Sequence, residues 1–319
     1  MNMREIEAIS EISNYLSFSD AAHGLSYSPS VISKYVSNVE KELGIKIFER
    51  GSRANEMSLT PEGRILMRDI QRIAISYRHM RETVKQLKGT YDNILRIGSQ
   101  PRLGNKVEQE ILASFLLQND SSELEHVRMS SRDLVRLLHS GKLDALLLSL
   151  GEFINIDDFF RDTSKYMKAD VTLIAEERDM YLGISEKYLP HVEKEARFAE
   201  FKDFSFAFAF PSSTDEKEAI AIEPFQILAG KSGFKIRAAY FGTYDSTILK
   251  LAARAPIAVA ATSIPAQFEG IKFLRVSDWG FRNRVYFVYI KSNNKKQLLK
   301  LKNIVSEFRK QTGISEMNL

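Results

Sequence analysis

The most regular pattern in this sequence is an apolar repeat between residues 61 and 88. Apolar side chains recur there at alternating intervals of four and three residues, at Leu66, Ile70, Ile73, Tyr77, Met80, Val84 and Leu87. That spacing predicts a helix with a narrow apolar seam over about three heptads. At about 1.5 Å per residue, such a helix is roughly 40 Å long.

A helix of this length is too long to bury its whole seam against the short segment that precedes it. Pairing with a second copy of the chain is the simplest way to cover the seam, so these seven residues are predicted to form a homodimer. The alternative, that the seam packs on the chain's own second domain, stays open at this stage.

The first 60 residues predict short helices joined by tight turns. The three-and-four spacing of Ile6, Ile9 and Ile12 predicts a helix over 3–16, and a second short helix is expected from Ser19 to Leu25. Ser28 and Pro29 provide an N-cap and a first-position proline for a third helix, which ends at Gly44. Residues 45–60 then break the helical period and predict a small β-wing.

The outer face of the third helix is small and polar, as is typical of a helix that enters the major groove of double-stranded DNA. Its candidate DNA contacts are Ser28, Ser30, Ser33, Lys34, Ser37 and Asn38. Basic residues on the wing and on the next helix could reach phosphates on either side, namely Arg50, Arg53, Arg64 and Arg68. A plain helical subdomain with an exposed polar face is the alternative interpretation.

Beyond Gly89 the pattern changes to alternating apolar strands and helices, which predicts an α/β domain with largely parallel sheets. Strands are expected near 94–99, 123–129, 143–149, 171–176, 180–185, 204–210, 235–241, 256–261, 271–276 and 284–290. Helices are expected near 105–118, 131–140, 215–230, 244–254 and 294–310. About 230 residues of this pattern fit two subdomains better than one sheet.

Small molecules bind α/β sheets at the carboxyl ends of the strands, where helix N-termini offer free N–H groups. Ser99 and Gln100 lie at the end of the first strand of this domain and are expected to face such a crevice. The other strand-end candidates for effector binding are Met129, Ser130, Ser149, Phe210, Thr243, Tyr244, Asp245 and Ser246. Each hydroxyl could instead be a helix cap or an ordinary turn residue. The expected effector is anionic or amide-like.

Composition excludes several classes of protein. The chain has no cysteine, and its five histidines lack metal-ligand spacing. It has no catalytic serine motif, no phosphate-binding glycine loop and no dinucleotide fingerprint, so no enzyme activity and no cofactor are expected. Its apolar runs are too short for a membrane span, and its start does not resemble a secretory signal, which predicts a cytoplasmic protein without a membrane partner.

Residues 1–90 closely resemble the N-terminal domain of LysR-type transcriptional regulators. The resemblance lies in residues 18–22 (FSDAA), 28–34 (SPSVISK), 39–44 (VEKELG), 47–50 (IFER) and 59–63 (LTPEG). It implies a winged helix-turn-helix, a dimerising linker helix and a two-subdomain effector domain similar to periplasmic binding proteins. It also implies a homotetramer as an alternative to the homodimer, palindromic DNA sites, a small-molecule effector and RNA polymerase as a partner.

The expected domain organisation follows from both lines of argument. A winged helix-turn-helix covers 1–60, a linker helix covers 61–89 and an effector domain covers 90–319. Within the effector domain, subdomain I is expected at about 90–165 and 265–319, and subdomain II at about 166–264. Two other classes remain as alternatives: a solute-binding protein, which 90–319 alone would suit, and an architectural DNA-binding protein without an effector.

Overall fold

A computed structural model describes the protein over residues 1–15, 21–22, 25, 27–50, 57–87, 93–102, 105–120, 122–156, 169–208, 222–241, 246–264 and 268–312. The chain divides near residue 92 into two compact units. Within the described segments, no helix combines the length and apolar character needed to cross a membrane.

The first unit is a small helical domain with a two-stranded wing and a long final helix. Its elements are α1 (Met3–Tyr15), α2 (Pro29–Leu43), β1 (Phe48–Arg50), β2 (Met57–Leu59) and α3 (Pro61–Leu87). The two strands pair antiparallel, so the predicted wing is present, while its tip at 51–56 lies outside the described residues. The predicted short helix at 19–25 also falls mostly outside them, although Ala21, Ala22 and Leu25 are helical.

Local capping explains where α2 begins and ends. Ser28 has extended backbone angles, and its hydroxyl accepts a hydrogen bond from the amide of Val31 at 3.4 Å. Pro29 occupies the first turn, where a missing N–H has no cost. Gly44 ends the helix with a left-handed φ of 70°, a conformation that glycine adopts readily.

Thr60 and Gly63 fix the junction between the wing and α3. The Thr60 hydroxyl donates to the carbonyl of Lys46 at 2.6 Å and accepts from the amide of Gly63 at 2.8 Å. Gly63 lies so close to the residue before β1 that an added Cβ would be 2.1 Å from the carbonyl oxygen of Ile47. Only glycine fits there without moving the backbone.

A second tie joins the end of α2 to the wing. Glu40 is buried, and its carboxylate accepts hydrogen bonds from Lys46 Nζ at 2.8 Å and from the amides of Ile47 at 2.8 Å and Phe48 at 3.2 Å. Burial by itself would raise the pKa of Glu40, but these hydrogen bonds outweigh it and the pKa is lowered. The carboxylate is therefore charged in the folded domain at neutral pH.

The second unit contains two mixed sheets and their covering helices. Its strands are β3 (Ile94–Ser99), β4 (Glu123–Arg128), β5 (Ala145–Gly151), β6 (Ala169–Glu177), β7 (Tyr181–Ser185), β8 (Glu195–Ala196), β9 (Ser205–Phe208), β10 (Ala238–Phe241), β11 (Ile257–Ala261), β12 (Ile271–Val276) and β13 (Asn283–Ile290). Its helices are α4 (Lys106–Gln118), α5 (Ser131–His139), α6 (Glu223–Lys231), α7 (Ser246–Arg254) and α8 (Lys296–Gln311), and a 3-10 turn spans Phe198–Phe201.

The strand order is β4-β3-β5-β13-β6 in one sheet and β10-β9-β11-β7-β12-β8 in the other. The expectation of largely parallel sheets is only partly met, because β13 runs antiparallel to β5 and β6, and β7 runs antiparallel to β11 and β12. β7 and β13 are each the first strand after the chain crosses from one sheet to the other. A strand that enters a sheet from its carboxyl edge must run against its neighbours.

These crossings also draw the subdomain boundary differently from the sequence. The chain passes between the sheets at 178–180 and at 277–282. The strand at 169–177 therefore belongs to the first sheet and the strand at 271–276 to the second, whereas boundaries near 165 and 265 were expected. The crossing strands carry the same apolar pattern as their neighbours, so the pattern does not reveal which sheet each one joins.

Each face of each sheet buries its own apolar cluster. In the five-stranded sheet, α4 and α8 cover the face with Ile97 and Phe287, and α5 covers the face with Leu146 and Val288. The second sheet buries an aromatic cluster on one face, with Phe198 and Phe206 fully buried, and packs α7 on the other. The continuous burial of β5 explains its unbroken apolar sequence.

Candidate functional site

The outward face of α2 presents the polar side chains that the sequence assigned to DNA. Ile32, Val36 and Val39 face the core and are buried. On the opposite side Ser30, Lys34 and Ser37 are exposed and Ser33 is half-buried. These short side chains leave the helix backbone accessible, as docking into a major groove requires.

Three of the six candidate residues have hydrogen-bond partners within the domain. The Ser28 hydroxyl caps the helix and lies 2.9 Å from the Ser30 hydroxyl. The Asn38 amide donates to Glu5 Oε1 at 3.0 Å, and this hydrogen bond is the main reason that the pKa of Glu5 is lowered. Asn38 thus ties α2 to α1, and Ser30, Ser33, Lys34 and Ser37 remain candidates for base contacts.

The structure describes the side chains of two of the four basic candidates. Arg64 and Arg68 are exposed on the first turns of α3. Arg50 ends β1, but its side chain and the whole of Arg53 lie outside what the structure describes.

The predicted dimerisation seam on α3 divides into two parts. Ile70 is only 2% exposed and Leu66 is partly buried, and both pack in the core of the first unit, so they are not available to a partner as the sequence predicted. The reason is that the first half of α3 lies against α1. Further along, Ile73, Met80 and Val84 are 44%, 53% and 42% exposed.

Tyr77 lies between these exposed residues and is half-buried, with the Arg81 guanidinium 6.0 Å from its ring centre. The side chain of Leu87 lies outside the described residues. The second half of α3 therefore carries an apolar stripe that the described part of the first unit leaves uncovered.

At the carboxyl edge of the five-stranded sheet, Gln100 continues the pairing of β3 with β5. Its side-chain nitrogen donates to the backbone carbonyl of Ser149 at 3.1 Å, and its side-chain oxygen accepts from the backbone amide of Ser149 at 2.8 Å. It also donates to the Ser131 hydroxyl at 3.0 Å, and Arg102 donates to the same Ser149 carbonyl at 3.1 Å. Gln100 is thus a brace that holds this edge together.

Ser99 is placed differently from the expectation that it faces an open crevice. It is fully buried, and its hydroxyl lies 2.8 Å from His126 Nε2. Alternation along β3 turns it inward beside Ile97, toward α4. The same His126 nitrogen lies 3.6 Å from Glu108, a buried carboxylate that also binds Arg128 at 2.7 Å.

This group does not form a hydrolytic triad. In such a triad the serine and the acid contact opposite nitrogens of the imidazole ring, whereas here both approach Nε2. Burial lowers the pKa of His126, with Arg128 adding to that effect and Glu108 opposing it. The cluster is a buried polar network between β3, β4 and α4.

Glu177 joins the two sheets at their carboxyl edges. It ends β6, and its carboxylate forms a side-chain hydrogen bond with Thr262, the residue after β11 in the other sheet. Burial is the largest influence and raises the pKa of Glu177, Glu108 adds to the rise, and Arg102 and Thr262 oppose it. Arg102, Ser131, Glu177 and Thr262 were not singled out from the sequence.

A signal for Glu177 was present in the sequence, because it is a charged residue at the end of an apolar strand.

Two other candidates have local roles. Ser130 caps α5 through the amide of Asp133 at 3.2 Å, and Met129 packs against the cluster beneath α5. The remaining candidates, Phe210, Thr243, Tyr244, Asp245 and the Ser246 side chain, fall outside the described residues.

Comparison with known proteins agrees with this geometry. Residues 3–64 match the family model of the bacterial regulatory helix-turn-helix protein, lysR family. The chain is 25% identical over 186 residues to the HTH-type transcriptional regulator YtlI of Bacillus subtilis, covering 57% of this chain and 59% of YtlI. It is 31% identical to ShiR of Corynebacterium glutamicum over 47% of this chain and 50% of ShiR. The chain thus spans about half the length of the curated relatives it matches.

Solved structures extend the likeness to the whole fold. A full-length OxyR variant from Pseudomonas aeruginosa aligns with a TM-score of 0.57 at 15% identity, over 97% of this chain and 95% of that one. Full-length CbnR in a complex with its target DNA aligns with a TM-score of 0.55 at 17% identity, over 97% and 100% of the two chains. At these identities the likeness concerns the fold.

Fold and site together define a winged helix-turn-helix protein with a two-subdomain α/β domain of the kind that follows it in these regulators. Within that class, the resemblance to the LysR type is confirmed: the chain carries a lysR-family helix-turn-helix domain at residues 3–64 and the fold of full-length LysR-type regulators.

Proposed function

We propose that this protein is a LysR-type transcriptional regulator that binds double-stranded DNA and responds to a small-molecule effector. The observation that carries the proposal is the outward face of α2, where Ser30, Ser33, Lys34 and Ser37 stand clear of the core on a helix capped at both ends. CbnR, whose fold this chain shares, was solved in a complex with its target DNA, which supports DNA binding by this chain.

In the proposed mechanism, two copies pair through the exposed stripe of α3 as a homodimer or a homotetramer. Pairing presents two recognition helices to half-sites spaced by whole turns of DNA, about 10 bp or a multiple. Arg64 and Arg68 contact phosphates and supply affinity without sequence preference. The compartment we propose is the cytoplasm.

Regulation is proposed to begin in the second unit. An effector bound at the facing carboxyl edges of the two sheets changes the angle between the sheets. Two short segments, 178–180 and 277–282, carry the chain from one sheet to the other and would act as the hinge. Altered geometry in the paired DNA-binding domains would change DNA bending and contact with RNA polymerase. The effector shifts the equilibrium between two arrangements of the sheets only to the extent that it binds one arrangement more tightly than the other.

The test separates base reading from phosphate binding. Lys34→Ala is expected to weaken binding of the dimer to a preferred duplex by at least about 30-fold, because each of the two copies loses one base contact worth roughly 1–3 kcal/mol. It should change binding to random duplexes much less. Lys41→Ala is the matched control, since Lys41 is an exposed lysine near the other end of the same helix.

Arg68→Ala is expected to weaken binding to preferred and random duplexes alike. It should also reduce the slope of log affinity against log salt by about two for a bound dimer, since each copy loses one phosphate contact and each contact releases about one counterion. Fluorescence anisotropy titrations over a range of salt concentrations measure both effects. If Lys34→Ala leaves the affinity for the preferred duplex at the wild-type value, α2 is not the reading helix.

A further inference from the structure

The recognition helix α2 is joined to α1 by a contact that the sequence did not suggest. Ile32, Val36 and Val39 bury the inner side of α2. Apolar burial is non-directional, so it tolerates small rotations of a helix about its own axis. A hydrogen bond to a fixed neighbour has a narrow range of distance and angle, and therefore restricts such a rotation more strictly.

Glu5 on α1 is the neighbour that accepts this hydrogen bond. The residue is 5% exposed. Its Oε1 atom accepts from the side-chain nitrogen of Asn38 at 3.0 Å, and its Oε2 atom accepts from the backbone amide of Asn2 at 2.8 Å. One carboxylate oxygen is thus engaged by α2, and the other by the start of α1.

The Glu5 carboxylate is held in place by the cap of its own helix. Asn2 precedes the first residue of α1, and its side-chain oxygen accepts from the amides of Arg4 at 3.0 Å and Glu5 at 3.1 Å. Together with the bond from the Asn2 amide to Glu5, these contacts form a capping box, in which two residues three apart satisfy each other's amides. Asn38 therefore meets an acceptor whose position is already fixed.

The polarity of the contact is also defined. The pKa of Glu5 is lowered, first by the hydrogen bond from Asn38 and further by that from Asn2, against the effect of burial. The carboxylate is therefore charged at neutral pH and can only accept hydrogen bonds. The reversed amide would place the oxygen of Asn38 against a buried charged acceptor, so the nitrogen of Asn38 must face α1.

This contact bears on the side chains that are candidates for base reading. Asn38 lies four residues after Lys34, on the same side of α2, and next to Ser37. A rotation of α2 that breaks the contact with Glu5 moves Lys34 and Ser37 by the same angle. Side chains in a binding site must stay within about 0.5 Å and roughly 10–20° of the productive geometry. Base contacts are therefore sensitive to the setting of α2.

We propose that Glu5 is a positioning residue for sequence recognition, which acts through Asn38 to fix the rotation of α2 about its axis. The inference rests on the proposed DNA-binding function and assigns part of its specificity to a buried residue of α1. Loss of this contact is expected to reduce discrimination between duplexes more than general affinity for DNA, because phosphate contacts supply affinity without reading sequence.

The experiment measures the ratio of two affinities of the full-length protein by fluorescence anisotropy. One probe is a duplex selected by the protein from a random pool, and the other is an unselected duplex of the same length. Glu5→Gln keeps the size of the side chain, but an amide has one accepting oxygen where the carboxylate has two. Each copy of a bound dimer then loses one hydrogen bond to a charged acceptor, and the ratio is expected to fall at least about tenfold.

Glu7→Gln is the matched control for the loss of charge. Glu7 lies on the same helix, two residues after Glu5, and is half-buried. Its substitution removes the same charge and should leave the ratio within about twofold of wild type, as expected for a site without a partner of this kind. In both variants, affinity for the unselected duplex is expected to stay within about twofold of wild type, since their phosphate contacts are unchanged.

A second substitution separates positioning from a general loss of stability. In the double variant Glu5→Gln/Asn38→Asp, the amide at position 5 keeps its oxygen for Asn2 and donates its nitrogen to the new carboxylate. Both hydrogen bonds return, one with reversed polarity, and the net charge equals that of the wild type. The ratio is expected to recover to within about threefold of wild type, as for two residues that act through one contact. Asn38→Asp alone sets two carboxylates against each other and should lower the ratio at least as much as Glu5→Gln.

Three results would overturn the proposal: a ratio unchanged by Glu5→Gln, an equal loss of affinity for both duplexes in folded Glu5→Gln, or a double variant no better than Asn38→Asp alone. The last comparison decides the proposal if Glu5→Gln alone does not fold. A wild-type protein that prefers no duplex refutes the proposed function and this inference with it. A wild-type preference that Glu5→Gln retains in full refutes the inference alone.

Discussion

Glu40 shows how a single charged residue orders the DNA-binding domain. Its carboxylate is 7% exposed and holds three donors from the segment that leads into the wing. Two of these donors are the backbone amides of Ile47 and Phe48, both of which donate to Glu40 Oε1. One charged side chain thus ties the segment that leads into the wing to the end of α2.

Glu40→Gln is expected to lower the free energy of opening the 45–50 segment by about 2 kcal/mol, because hydrogen bonds to a charged acceptor are worth roughly 1.5–3 kcal/mol. Hydrogen exchange of that segment at pH 7, followed by mass spectrometry, measures the loss as roughly 30-fold faster exchange. Glu42→Gln is the control, since this neighbouring carboxylate is 54% exposed and such surface groups contribute about 0–1 kcal/mol.

The same residue predicts a dependence on pH. The pKa of Glu40 is lowered in the folded state below its ordinary value of 4.5. Its contribution to stability is therefore complete above pH 4.5 and is lost as the pH falls through the folded-state pKa. The difference in exchange between wild type and Glu40→Gln should shrink below pH 4.5, and a difference that grows there would contradict the role assigned to this carboxylate.

Residue identity alone predicted where polar side chains lie in the chain but not which partner each one finds. Ser99 ends β3 and Ser130 precedes α5, as expected. Ser99, however, is buried against His126, whereas Ser130 caps α5. Alternation along β3 would have turned Ser99 inward once Ile97 was assigned to the core. The partner of Glu177 could not be predicted, because Thr262 lies in the other sheet.

At the scale of elements, the two halves of α3 differ in burial along one apolar seam. Its first half completes the core of the first unit through Met67, Ile70 and Ala74. Its second half leaves Ile73, Met80 and Val84 exposed. The seven-residue repeat was visible in the sequence, but the change from buried to exposed side chains was not, because the repeat continues unchanged across it.

Ile73→Lys is expected to weaken self-association by at least about 100-fold. Two copies of the lysine would replace two isoleucines whose burial is worth roughly 1.5–3 kcal/mol each, and charged ammonium groups are costly to bury. Sedimentation velocity over a range of micromolar concentrations measures the change. Ile65→Lys is the matched control, because Ile65 lies on the same helix, off the seam, and is 72% exposed.

Equal weakening by both lysine substitutions would contradict a seam-specific interface. No change with Ile73→Lys would place the interface elsewhere and leave the exposed stripe of α3 without its proposed role.

The secondary structure elements themselves were well predicted from periodicity and capping. Where described, every expected strand lies within about three residues of an observed one, and α2 starts at the predicted Pro29. The two-residue strand Glu195–Ala196 was missed, because so short a segment has no period. Sheet membership was the larger gap, since the crossings at 178–180 and 277–282 depend on long-range pairing.

At the scale of the whole molecule, the chain joins a small winged helix-turn-helix domain to a larger domain built from two sheets. Glu177 and Thr262, which bridge those sheets, lie far along the sequence from α2. The class of protein followed from the first 90 residues, whereas the contacts at the carboxyl edges of the two sheets emerged only once strands from distant parts of the chain were paired.

The central claim is that two copies of this chain hold α2 toward the grooves of a specific duplex. Sequencing the fragments that the purified full-length protein retains from a random pool of duplex DNA tests it most directly. The account predicts enrichment of two related half-sites whose centres are separated by about 10 bp or a multiple, and loss of that enrichment with Lys34→Ala. Retained DNA with no common sequence, or the same enrichment with Lys34→Ala, would contradict it.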